Sequence, residues 1–130
     1  MGVAQLSDGL VGLPADARTR EQLEWAADDV EEAGGTAGVW LARPATLAQE
    51  RRVAGPMNAA RAAEYAAIAA EAEQACRADE VGRRQALRRL RAQTRRVERR
   101  DFFRPPEREA ARQALRLLAE AAVDGKEVQA

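Results

Sequence analysis

The sequence predicts an α+β fold: a small antiparallel sheet with one helix, followed by a mostly α-helical hairpin extension. Three observations predict it. An Asp-Gly pair separates two short apolar runs near the N-terminus, capping signals and a Gly-Gly stop bracket an amphipathic segment, and everything after Thr46 repeats at helical spacing. Residues 1–45 are therefore expected to form a β-hairpin, helix and strand. Residues 46–130 are expected to form a helical region with a long hairpin and a C-terminal helix.

The hairpin rests on "GVAQLSDGLVGLP" (2–14), because the glycine of Asp8-Gly9 accepts the positive φ of a tight turn. Thr19-Arg-Glu-Gln22 reads as a capping box for the helix that follows, and the acids of 21–32 favour the positive end of its dipole. Leu23, Ala26, Ala27, Val30 and Ala33 form one stripe, and Gly34-Gly35 ends the helix. "TAGVWLARP" (36–44) reads as a strand stopped by Pro44, with Trp40 on it and Trp25 on the helix crossing it, both at the core or its edge. Thr46-Leu-Ala-Gln49 is a second capping pattern, and Gly55-Pro56 predicts a break. Residues 57–81 follow as an alanine-rich helix with Tyr65, Ile68, Ala72 and Cys76 on one face. Gly82 is then either a joint or an interior glycine.

Leu87, Leu90, Thr94 and Val97 trace a seam through an arginine-covered helix, ended by Asp101-Phe102-Phe103, with Phe102 and Phe103 packed on the hairpin base. Pro105-Pro106 start a last helix with Ala110, Ala111, Ala114, Leu115, Leu118 and Ala122 inward. Helices 57–81 and 84–101 are expected to pair antiparallel, bringing Glu71, Glu73, Asp79 and Glu80 near arginines.

The net charge is zero, but it is unevenly placed. Residues 1–82 carry 7 basic and 14 acidic groups, whereas 83–104 carry ten arginines against Glu98 and Asp101. A single cysteine, Cys76, rules out an internal disulfide and suits a reducing cytosol, so the expected location is cytoplasmic. The chain has no histidine, which removes Ser-His-Asp and Cys-His catalysis and His-containing zinc sites. No catalytic constellation, phosphate loop or spaced ligand set is present, so a non-enzymatic protein without a cofactor or metal is expected. No apolar run approaches the roughly 20 residues of a membrane span.

Four segments in order, "DGLVGLP" (8–14), "TREQLEWAADDVEEAGG" (19–35), "NAARAAEYAAI" (58–68) and "DFFRPPEREAARQAL" (101–115), carry a family resemblance. Together they resemble the N-terminal domain of ChrB-type chromate-resistance proteins, over about residues 2–118. The resemblance implies transcriptional control of chromate-resistance genes. The first part also looks like the ferredoxin-like module of PaaX-type regulators, which implies a partial ferredoxin-like sheet. Family members generally carry a strand and helix before this segment and a second domain after it, and neither lies within these 130 residues. A shortened form, a start further upstream, or a sheet completed by a homodimer would each account for that.

The arginine segment admits three readings. Arg84, Arg88, Arg91, Arg95 and Arg99 on one helix suit DNA phosphates in a sequence-tolerant way. Alternatively the arginines are solvated, or paired with carboxylates of this chain or of a protein partner. Thirdly, i,i+4 pairs such as Arg84–Arg88, Arg91–Arg95 and Arg95–Arg99 offer bidentate hydrogen bonds to a chromate oxyanion.

Overall fold

The structure, a computed structural model, describes residues 2–129, with side chains described through 124. It has an α+β fold with a helical extension: two strands in one antiparallel sheet, then four helices. The chain divides into two compact units, Gly2–Gly55 and Pro56 onward.

In the first unit, β1 (Ala4–Ser7) pairs with β2 (Leu10–Gly12) across Asp8-Gly9, and Gly9 takes φ +75° as that turn requires. Helix α1 (Ala17–Glu32) has its cap three residues before the expected one. Asp16 is the N-cap, accepting from Thr19 N at 2.8 Å, while Thr19 accepts from Asp16 N at 3.1 Å. Threonine therefore serves as the third residue of the box, not the first. Its buried hydroxyl also donates to Pro14 O, tying α1 to the exit of the hairpin. The hydrogen bond from the Thr19 amide, foremost, holds the Asp16 carboxyl below its ordinary value. Gly34, at φ +91°, and the bond from Gly35 N to Val30 O close the helix as expected.

Two expectations for this unit are corrected. Residues 36–44 form no strand. They contain Gly38 and end at Pro44, so ordering them is entropically costly, and the two-stranded sheet offers them no pairing. Trp40 is 88% exposed and Trp25 62% exposed, so neither is core. Thr19 is the one buried residue among the described residues of this unit.

The break expected at Gly55-Pro56 does not occur, for α2 (Leu47–Ala75) runs straight through both residues. A proline ring clashes with the Cβ of the residue before it, and Gly55 has none, so the helical conformation remains open there. The N-terminus is capped by Thr46, whose Oγ1 accepts from Gln49 N at 3.1 Å.

In the second unit, α2 ends at Ala75, earlier than the expected residue 81, and Arg77-Ala78 form the joint. Asp79 then caps α3 (Glu80–Glu98) by accepting from Gly82 N at 2.8 Å. Gly82 is thus inside α3, where an added Cβ would lie 3.0 Å from both Ala78 Cβ and Asp79 Oδ1. Helix α4 (Glu107–Gln129) follows Pro105-Pro106.

The core is built where the helical spacing puts it: Tyr65, Ile68 and Ala72 from α2, Leu90 and Val97 from α3, and Ala111, Ala114, Leu115 and Leu118 from α4. Thr94 is buried with them, its hydroxyl satisfied by Leu90 O at 2.8 Å. Ala110 departs from expectation: it is exposed, one position off the buried face. Phe103 is 41% exposed, so only Phe102 is partly covered. The antiparallel pairing of α2 and α3 follows from two ion pairs whose order reverses, Glu71–Arg89 at 2.8 Å and Glu64–Arg100 at 3.1 Å. Asp79 is spent on capping and Glu80 pairs within its own helix to Arg84, so neither reaches across as expected.

Candidate nucleic-acid interface

Helix α3 buries one narrow seam and leaves the rest of its circumference to arginine. With Leu87, Leu90, Thr94 and Val97 facing inward, Arg84, Arg88, Arg91 and Arg95 fall on the flank beside α4, at intervals of three or four residues. Successive guanidinium groups are therefore spaced about 5–6 Å apart along the helix.

The structure divides the five arginines singled out from sequence. Arg88, Arg91 and Arg95 are exposed and have no hydrogen-bond or ion-pair partner among the described residues. Arg84 is tied to Glu80. Arg99 is exposed and partnered. On the opposite flank Arg89 is held by Glu71, and Arg100 makes a two-pronged contact with Glu64, both bonds at 3.1 Å. Arg61 approaches the same Glu64 at 3.3 Å, and Arg83 donates to Ala78 O at 2.6 Å. On the flank facing α2, Arg89 and Arg100 are thus paired, whereas Arg88, Arg91 and Arg95 on the other flank keep their charge.

Arg96, which lies with Glu64 and Arg100 on the side of α2, is exposed and also lacks a partner among the described residues. Two residues of the surface beside α4 were not singled out from sequence. Arg112 and Arg116 of α4 join Arg91 around a shallow groove of about 380 Å³, with Leu115 and Ala119 in its floor and Glu120 at its rim. A signal for them existed: Arg108, Arg112 and Arg116 repeat every four residues and so share a face. Arg112 is bonded to Glu98 at 3.2 Å and Arg116 to Glu109 at 2.9 Å. The Arg116 hydrogen bond holds the Glu109 carboxyl below its ordinary value.

The α3–α4 turn is fixed by a buried polar node. Tyr65 of α2 donates to Asp101 Oδ2 at 2.8 Å, and Asp101 Oδ1 accepts from Arg104 N at 2.8 Å and Phe103 N at 3.2 Å. Arg108 stands 3.7 Å from Asp101 Oδ2, compensating a carboxylate whose side chain is fully buried. Burial, then the Asp101 hydrogen bond and charge, push the Tyr65 phenol well above its ordinary value. Among the described residues no group of carboxylates and cysteine is arranged to hold a metal ion, and Cys76 is half-buried. No helix is long and apolar enough to cross a membrane.

No protein-family model, curated protein or solved structure matches this chain. The resemblance to chromate-resistance regulators rests on the four segments quoted above.

Proposed function

We propose that this protein is a non-enzymatic regulatory or accessory protein that contacts DNA phosphates through the flank of α3 bearing Arg88, Arg91 and Arg95. Its place among regulators of chromate resistance, and its action as a homodimer, belong to the same reading and follow from the resemblance. The observation that carries the DNA contact is the absence, among the described residues, of carboxylate partners for these three exposed arginines, on a helix whose Arg89 and Arg100 are paired with α2. Neutralising backbone phosphates releases counterions, so three such contacts give a slope of roughly −3 in log affinity against log salt. Such contacts position a protein on duplex DNA without reading bases.

Binding to random-sequence duplex DNA across a salt series tests the proposal. A steep loss of affinity from low to moderate salt supports it, and no binding at low salt overturns it.

A second reading, a protein-interaction module without nucleic-acid binding, is favoured by the ion pairs of Arg84, Arg89 and Arg100. Those pairs remove three arginines from the account, Arg84 on the flank beside α4 among them, but leave Arg88, Arg91 and Arg95 of that flank untouched. A chromate oxyanion between i,i+4 arginines has less support: Arg84 and Arg99 are already partnered, which leaves only the exposed Arg91–Arg95 pair.

A further inference from the structure

Trp25 is the most exposed large apolar side chain of α1, ahead of Val30, and it stands within a mainly acidic face that also carries Arg18. Glu21 lies four residues before it, Asp28 and Asp29 three and four after, and Glu32 seven after, so all four carboxylates share its side of the helix. All four are exposed and none has an ion-pair partner among the described residues, whereas Glu24, off that face, is bonded to Arg20 at 3.0 Å. The groove between α3 and α4 has the opposite construction. Its floor is apolar, Leu115 and Ala119, and its frame is Arg91, Arg112 and Arg116, with the unpartnered Arg88 and Arg95 alongside. It is a shallow depression of about 380 Å³, open to solvent.

The geometry points to a second copy of this chain as the occupant of that groove: Trp25 of one molecule enters between α3 and α4 of another, and the carboxylates around it meet the arginine rim. An aromatic anchor within a complementary charged frame is the pattern of an interface hot spot, and an indole beside guanidinium groups gains cation–π attraction. Where two copies exchange the contact, each giving one acidic face and one groove, the interface is isologous. The inference deepens the DNA reading, on which its regulatory half rests. The acidic face covers the same arginines that would take phosphate, so self-association and DNA binding compete. The carboxylate Glu120 on the rim works against the contact; Arg112 and Arg116 are held by Glu98 and Glu109, so the uncommitted positive charge there is that of Arg91 with Arg88 and Arg95.

Sedimentation velocity of the full chain over a concentration series, at low and moderate salt and without DNA, tests it. A dimer at low salt that dissociates as salt screens the charges is expected. Trp25→Ala and Arg91→Glu should each weaken association about tenfold or more, and Trp40→Ala should not. Asp28→Arg with Asp29→Arg, monomeric alone, should form a one-to-one complex with the Arg91→Glu variant, because the mixture retains one intact acidic face and one intact groove. The milder Asp28→Asn and Arg91→Gln serve if a charge reversal lowers helicity. A chain that stays monomeric at every concentration and salt overturns the inference, as does a dimer indifferent to Trp25 and Arg91. A chain that dimerises in this way but ignores DNA keeps the contact and sinks the DNA reading. One that binds DNA and never dimerises does the reverse.

Discussion

Tyr65 and Asp101, 36 residues apart, share a hydrogen bond of 2.8 Å that joins the middle of α2 to the turn where α3 has ended. The carboxylate is buried and spent on four partners: the phenol, two backbone amides and the Arg108 guanidinium. The phenol is its one neutral side-chain donor, which makes the pair sensitive to alkali.

The folded state holds the Tyr65 proton more tightly than the unfolded chain, whose tyrosine titrates near 10.0. The stabilisation is therefore complete below that value and is lost as pH rises through the higher folded value. Tyr65 is the chain's single tyrosine, so ultraviolet difference absorbance reads its ionisation directly. Phenolate should appear together with loss of helicity, above pH 10.0. Tyr65→Phe should remove that tyrosine-linked step and cost about 1 kcal/mol at neutral pH. Ionisation well before any loss of structure would contradict the pairing.

The register of α4 can be read from two adjacent alanines. Ala111 is fully buried against the core and Ala110 is exposed. Ala111→Leu should cost about 1–3 kcal/mol in urea unfolding through overpacking, and Ala110→Leu less than about 0.5 kcal/mol. In the same assay Leu90→Ala, at the centre of the seam, should cost about 2–5 kcal/mol.

Gly55 and Pro56 should behave as a coupled pair. Pro56→Ala restores a backbone donor to the interior of α2 and should stabilise it by up to about 3 kcal/mol. Gly55→Ala should help, by about 1 kcal/mol, only once Pro56 has been replaced, because a Cβ before proline clashes with its ring. Circular dichroism of the single and double variants checks the sign change. Equal gains from Gly55→Ala in both backgrounds would dismiss the clash.

The two flanks of α3 should separate in DNA binding. Alanine at Arg88, Arg91 and Arg95 together should lower the salt slope by about 3 and leave helicity intact, since those side chains hold nothing. Alanine at Arg89, paired at the surface with Glu71, should leave the slope unchanged and cost at most about 1 kcal/mol of stability.

What could be read beforehand depended on how local its cause was. The Asp8-Gly9 turn, the Gly34-Gly35 stop and the seams Tyr65–Ile68–Ala72 and Leu90–Thr94–Val97 are set by neighbours within a few residues, and each is where its pattern puts it. The strand expected at 36–44 needed a pairing partner, which local propensity cannot supply. Pro56 sits inside α2 against the usual rule for proline, because Gly55 before it has no Cβ for the ring to meet. Within the arginine surface, the positions were visible, but their division into neutralised and unpartnered was not. That division depends on which carboxylates α2 and α4 bring alongside, Glu71 across 18 residues and Glu64 across 36.

Arg104 adopts φ +50°, a left-handed conformation that L side chains other than asparagine and aspartate rarely take, and its amide is held by Asp101 at 2.8 Å. The bend between α3 and α4 is consequently spring-loaded: the anchoring carboxylate works against an intrinsic torsional bias. Glycine or asparagine at this one position would relax the spring, making it a site where thermal tolerance can be engineered without disturbing a single packed side chain.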